Sequence, residues 1–258
     1  TTLELAGPIA GAGALTKDGA GTLILTGDAE HDGGTTIAAG TLQVGNGGTI
    51  GSLTGDVLNN ASLIFNRSDD TSFAGAITGT GSLTQTGGGV LRLTGASDFS
   101  GTTLIESSEL RLENGGSVNS GLTRLAGPDS TLTVTGAGSS LITTELRLGA
   151  PTGGNVTLNI EDGGQVIATG TSQVSLGGAV LAGNPAHDVT VNVSGANSLW
   201  EVGGNVSVGF NTASTARVNV TDGATVRSGS LSMGPPLQSM TNPSDVTISG
   251  AGSSWTTG

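Results

Sequence analysis

Apolar and polar residues alternate with a period of two along most of the chain, in short runs separated by turn formers. The runs include "TLILTG" from Thr22, "TLQVG" from Thr41, "ELRLENGG" from Glu109, "TLTVTG" from Thr131 and "VTLNIEDGG" from Val156. They continue with "VTVNVSG" from Val189, "RVNVTDG" from Arg217 and "VTISG" from Val246. Alternation sends Leu23 and Leu25, or Val218 and Val220, to one face and their polar neighbours to the other. Gly, Asn and Asp at the ends of each run favour turns. No segment carries the 3.6-residue apolar spacing of an amphipathic helix, so the pattern predicts an all-β protein.

The runs also recur in order. Residues 11–50 align without a gap on residues 79–118, a 68-residue repeat. Leu15, Leu23, Leu25, Ile37 and Leu42 meet Leu83, Leu91, Leu93, Ile105 and Leu110, and the turn glycines, such as Gly27 and Gly33, meet Gly95 and Gly101. Farther on, "TGAGSSL" at Thr135, "SGANSLW" at Ser194 and "SGAGSSW" at Ser249 form a second repeat. Strand starts at Thr131, Val156, Val189, Arg217 and Val246 lie 25, 33, 28 and 29 residues apart, about one coil of a parallel β-helix each. On that reading the 68-residue unit holds about three coils and the later unit two. About ten coils would make a rod on the order of 50 Å long. The rival is a β-sandwich, which also has short strands and frequent turns. Against it stand the ungapped repeat and the missing core Trp and tyrosine signature. The expected fold is a right-handed, single-stranded parallel β-helix. Residues 1–125 would form the coils of the 68-residue repeat, and residues 126–258 the coils with longer loops on one side, in one continuous solenoid.

Composition narrows the function. The 258 residues include 47 glycines, only 2% aromatics and 11% charged residues, against roughly 25% charged in a typical domain. The core must therefore be thin. A net charge of −12 with eight Lys plus Arg opposes nucleic-acid binding, which needs a basic footprint, and equally opposes docking on an anionic membrane. The absence of cysteine removes disulfides, thiolate metal sites and cysteine nucleophiles. No apolar run approaches the ~20 residues of a transmembrane helix. Beginning at Thr1, the chain reads as a piece of something longer.

"LTKDGAGTLILTGDAEHDGGTTIAAGTLQVG", from Leu15, resembles the repeat of bacterial autotransporter passengers, the type V secretion proteins, and "LTQTGGGVLRLTG", from Leu83, repeats it. "ASLIFNRSDDTSFAGAITGTGSL", from Ala61, resembles the link between copies, and the "SGAGSSW" units are similar to a repeat of large bacterial surface proteins. The resemblance implies a β-helix displayed outside a Gram-negative cell and anchored through a C-terminal outer-membrane barrel that this stretch lacks. It further implies adhesion to host cells or matrix, with virulence as its setting. Self-association in biofilm, towards like molecules on neighbouring cells, is the alternative; a β-helical carbohydrate-active enzyme is the more distant one.

The residues themselves offer little catalysis. His31 lies in "GDAEHDGG" beside Glu30 and Asp32, but the repeat aligns it with Phe99, which predicts a ring packed over a turn. His187 lies in the Pro-containing loop "GNPAHDV" without a serine partner. Asp69–Asp70 sits in the repeat link, and Glu161–Asp162 opens a turn matched by "TDGA" at Thr221. Lys17 among glycines lacks the Gly-Lys-Ser/Thr ending of a phosphate loop. The chain is therefore expected not to be an enzyme and to need no cofactor or metal. Asn60, Asn66, Asn155, Asn192, Asn205 and Asn219 fall in glycosylation-type triplets and are read instead as Asn in strands and turns, where side-chain amides can stack between coils. The better candidate surface is the set of irregular segments that a solenoid stacks along one side, at 125–129, 181–188 and 234–245. Their candidate contact residues are Pro185, His187, Asp188, Pro235, Pro236, Leu237, Met240 and Asn242.

Overall fold

The computed structural model describes residues 1–149, 154–171, 174–176, 188–208, 215–233 and 244–258. The described residues form strands and turns with no helix, and the strand pairs are parallel, most strands being bonded to counterparts one coil before and one coil after. Parallel neighbours cannot be joined by a hairpin, so the chain must travel round to return in register. Here it returns by coiling, and the expected parallel β-helix is the fold found.

Each coil has three faces. The first carries Thr2–Leu5, Thr22–Leu25, Thr41–Val44, Ser62–Asn66, Ser82–Thr86 and Thr102–Ile105, then residues 122–125 and 145–148. The second carries Thr71–Phe73, Val90–Leu93, Glu109–Leu112, Ser130–Thr135, Val156–Glu161, Val189–Ser194, Ala216–Thr221 and Asp245–Ile248. The third begins with Leu15–Lys17, Thr35–Ile37, Val57–Asn59, Ile77–Gly79 and Ala96–Phe99. Ser117–Leu125, Ser140–Leu148, Leu199–Val208 and Thr225–Met233 are longer because each turns the corner from the third face to the first face of the next coil.

Register converts the alternating pattern into columns of buried side chains. Leu91, Leu110, Leu132, Leu158, Val191 and Val218 stack on the second face, and Val118, Leu141, Val166, Trp200 and Val226 on the third. Trp200 is fully buried and meets Trp255 of the last coil edge-on, with ring centroids 6.2 Å apart. On the first face Leu23, Leu42, Leu63 and Leu83 stack, and then Thr103 and Thr123 take the same place before Leu146 restores the aliphatic column. Exposed members include Leu3 and Leu5 in the first coil, Met233, which stacks on buried Val208, and Ile248 in the last coil.

The two threonines reveal how the 68-residue repeat is laid down. Leu83 sits over Leu63 and under Thr103, one coil away on either side, so the unit takes three coils and one further face. The two copies are consequently rotated by one face. Leu15 stacks with Thr35, Val57 and Ile77 on the third face, whereas its repeat mate Leu83 lies on the first. Val90–Leu93, likewise, is on the second face although its counterpart Thr22–Leu25 is on the first. Equivalent repeat positions do not lie above one another; leucines meet leucines because inward positions recur on every face.

At the corner between third and first faces, backbone packs directly on backbone at Gly81 and Gly101. A Cβ placed on Gly101 would lie 2.0 Å from the carbonyl oxygen of Gly81 in the coil below, a contact no side chain can make. At the corner between second and third faces, turns of two kinds alternate. "ENGG", "EDGG" and "TDGA" turns place Asn114, Asp162 and Asp222 at φ of 55°, 52° and 56°, conformations that Asn and Asp tolerate. The intervening turns each end in a serine that reaches across. Ser139, Ser198 and Ser253 accept through Oγ from the backbone N–H of Gly115, Gly163 and Gly223 at 3.1, 2.9 and 3.0 Å. This alternation is why the later repeat spans two coils. Outside the second face, Asn219 donates to Asn192 at 2.8 Å and Asn192 to Asn159 at 2.9 Å, the expected amide ladder.

Two outcomes follow for stability. Leu83→Ala, in the middle of a closed column, is expected to cost about 2–5 kcal/mol in urea unfolding. Ser198→Ala, which leaves the Gly163 N–H without its acceptor, is expected to cost about 1–3 kcal/mol by the same measurement while leaving the circular dichroism of the folded protein unchanged.

Candidate functional site

Of the candidate loop residues, Pro185, His187, Pro235, Pro236, Leu237, Met240 and Asn242 lie outside the described residues. Asp188 is exposed and holds neighbouring coils together. Its carboxylate accepts from the Thr215 N–H at 2.8 Å and from the Thr215 hydroxyl, and its carbonyl accepts from the Val156 N–H at 2.9 Å.

His31 is buried, with Nε2 3.1 Å from the Gly34 carbonyl and 3.0 Å from the Thr35 hydroxyl, while Glu30 and Asp32 face solvent. Phe99, its repeat mate, is buried too, in the third-face strand Ala96–Phe99, whereas His31 ends the strand Asp28–His31 of a separate three-stranded sheet. Lys17 is buried and donates to the carbonyls of Asp18, Gly19 and Ala39 at 2.9, 2.7 and 2.9 Å, which leaves no donor facing outward for a phosphate. Gln85 takes the same place in the second copy and donates to the Gly89 carbonyl at 2.9 Å.

The paired acids are drawn apart by arginines. Arg67 donates to both Asp69 carboxylate oxygens at 2.9 Å and also to the carbonyls of Thr49 and Gly51. Those hydrogen bonds hold the Asp69 carboxyl below the usual carboxylate range. Asp70 turns instead to Arg92, 2.9 Å away. Glu161 and Asp162 belong to the turn described above, with the Glu161 carbonyl accepting from the Gly164 N–H at 2.9 Å. Among the described residues no three His, Cys, Asp or Glu side chains gather as a metal site.

What the arrangement presents is long outward rows. On the second face Ser72, Arg92, Arg111, Thr133, Asn159, Asn192, Asn219 and Thr247 follow one another in register. Arg92 and Arg111 would repel as direct neighbours. Asp70, Glu109 and Glu113 offset that: Arg92 lies 3.3 Å from Glu113, and Arg111 lies 2.7 Å from Glu113 and 3.6 Å from Glu109. The matching row on the first face runs Ile24, Gln43, Ile64, Thr84, Leu104, Arg124 and Arg147. Sequence reading missed this row as a surface, because partners as far apart in the chain as Ile64 and Thr84 are not apparent until the coil length is known. Hydrogen-bonding groups and short aliphatics spread along a rod suit an extended contact rather than a reaction at one point.

The passenger-associated-transport-repeat family matches this chain twice, at residues 15–44 and 83–112, the two rotated copies of the fold. The adhesin BmaC autotransporter of Brucella suis biovar 1 (strain 1330) is 40% identical over 308 aligned residues. That alignment covers 100% of this chain and 9% of the relative, so the chain spans about a tenth of the length of the curated protein it matches. No solved structure matches it. With coils built from two transport repeats, and a likeness to an autotransporter that runs from one end to the other, the chain is a β-helical passenger segment of the autotransporter family.

Proposed function

We propose that this segment is displayed outside a Gram-negative cell, held there through an outer-membrane barrel elsewhere in its protein, and acts as both stalk and adhesin towards host cells or matrix. The coils stiffen the stalk, and Pro185, His187, Asp188, Pro235, Pro236, Leu237, Met240 and Asn242 are the candidate loop contacts. The role is non-enzymatic.

The observation that carries this reading is the long outward row of Arg, Thr and Asn on the second face, in a chain similar to a named adhesin over its whole length. Many weak contacts along such a row gain avidity when a cell displays many copies. Acid–base work asks instead for a few groups converging on one point; here Asp69 and Asp70 are engaged by different arginines and the Glu30 and Asp32 side chains face away from buried His31.

Beads coated with the purified segment are expected to attach to cultured host cells at least several-fold above beads coated with an unrelated β-helix. Replacing residues 234–245 by a short Gly-Ser turn should reduce attachment. Equal attachment by the trimmed segment would remove that loop as a contact, and attachment no better than the control would leave the segment a spacer.

A further inference from the structure

Arg124 breaks the way this protein treats its basic side chains. Arg67, Arg92, Arg111, Arg147 and Arg227 each lie within 4.0 Å of a carboxylate. Buried Lys17 is satisfied by three carbonyls. Arg217 is exposed to water and stands opposite Asp245 in the next coil. Arg124 is half-buried, its side chain has neither an ion pair nor a hydrogen bond among the described residues, and Arg147 lies directly over it in register. Glu145 is committed to Arg147 at 2.7 Å. The second face neutralises its stacked pair, Arg92 and Arg111, with three carboxylates. On the first face no described residue plays that part for Arg124. A half-buried unpaired charge beside a like charge costs stability.

Arg124 lines a notch of about 620 Å³ at the corner between the first and second faces. Leu104 and Pro128 supply apolar walls, and Thr86, Ser107 and Glu106 supply hydroxyls and a carboxylate. The notch is bounded by backbone held in place. Ser107 adopts φ 49°, and among the described non-glycine residues at positive φ it alone is neither Asn nor Asp. Its N–H is fixed by the Ser130 hydroxyl at 2.9 Å. The corresponding turn of the first repeat takes its left-handed residue from Gly40, at φ 71°. Gly127 is equally constrained, since a Cβ there would lie 2.8 Å from the Ser107 Oγ. Strained backbone beside an arginine without a protein partner among the described residues is a combination found at binding sites.

The geometry points to a subsite for an acidic saccharide at this notch. Arg124 offers a planar fork of donors that matches a carboxylate or a sulfate. Leu104 and Pro128 suit the apolar face of a sugar ring, while Glu106 and Ser107 are placed for ring hydroxyls. Glu106 also disfavours a densely charged, hydroxyl-poor anion, so a saccharide with one acidic group fits better than free phosphate.

This inference deepens the adhesive reading and takes its biological setting from it, but its test needs no cell. The purified segment is titrated with sialyllactose, a lactose bearing a single sulfate, and lactose, following heat release or amide shifts. Sialyllactose or the sulfated lactose is expected to bind at least tenfold more tightly than lactose, with the better of the two identifying carboxylate or sulfate as the acidic group. Arg124→Gln should abolish the difference, as loss of a charge-assisted contact is worth about tenfold or more. Arg147→Gln, whose charge is already answered by Glu145, should retain most of it. Arg124→Gln should also unfold at the same temperature as the parent or higher, because it relieves repulsion, whereas an arginine kept for structure would lower it. Binding of neither acidic sugar, binding equal to that of lactose, or an unchanged Arg124→Gln variant would overturn the subsite. Each of those results leaves cell attachment by other surfaces standing, and failed attachment of the beads leaves the sugar titration interpretable.

Discussion

A parallel β-helix places every side chain directly beneath a counterpart about 4.8 Å away. That single constraint governs the rest of this structure. Inside, it rewards a residue that packs well on itself, and Leu, Val and Ile occupy nearly all of the inward columns on the second face. At the corners it leaves no room between coils, which is why backbone meets backbone at Gly81 and Gly101. Outside, it brings like polar groups together. Asn tolerates that, since an amide both donates and accepts, and the Asn159–Asn192–Asn219 ladder results. Arg does not, since it only donates.

The handling of arginine therefore separates structural surface from functional surface. Where Arg92 meets Arg111, carboxylates from flanking strands and turns close the charge balance, and the result is a rigid, solvated patch. Such exposed pairs contribute little to stability, on the order of 0–1 kcal/mol each. Where Arg124 meets Arg147 the balance is left open beside a concave, partly apolar corner. In a chain with net charge −12, an unanswered positive group is out of keeping with its surroundings, and it is the clearest local departure from the pattern of the coils.

Much of the fold was legible in the sequence because period-two alternation and turn residues are local signals. The strands from Thr22, Glu109, Val156, Val189 and Arg217 all appear where the alternation places them. The burial of His31 was legible too, through its alignment with Phe99. The rotation of the 68-residue copies was not. It depends on the length of a coil, and a coil here is set by where backbone hydrogen bonds close, from Leu63 round to Leu83, rather than by any residue type. Asp188 looked like a loop residue free to make contacts, whereas its carboxylate accepts from Thr215 in the next coil, a bond that only register shows. Arg124 drew no notice for the same reason: in sequence it is one polar position in "LTRL", and its isolation emerges only when Arg147 arrives above it.

The most direct test of the stacked coils is a distance along the rod. The chain has no cysteine, so a single pair introduced at exposed Ser72 and Thr247 can be spin-labelled cleanly. The two positions lie in one outward row of the second face, linked by the successive pairs of Arg92, Arg111, Thr133, Asn159, Asn192 and Asn219. At ~4.8 Å per coil, electron–electron double resonance should give a narrow distribution centred at about 34 Å. A broad distribution, or a centre displaced by more than the reach of the labels, would contradict a continuous ladder from the first repeat to the last coil.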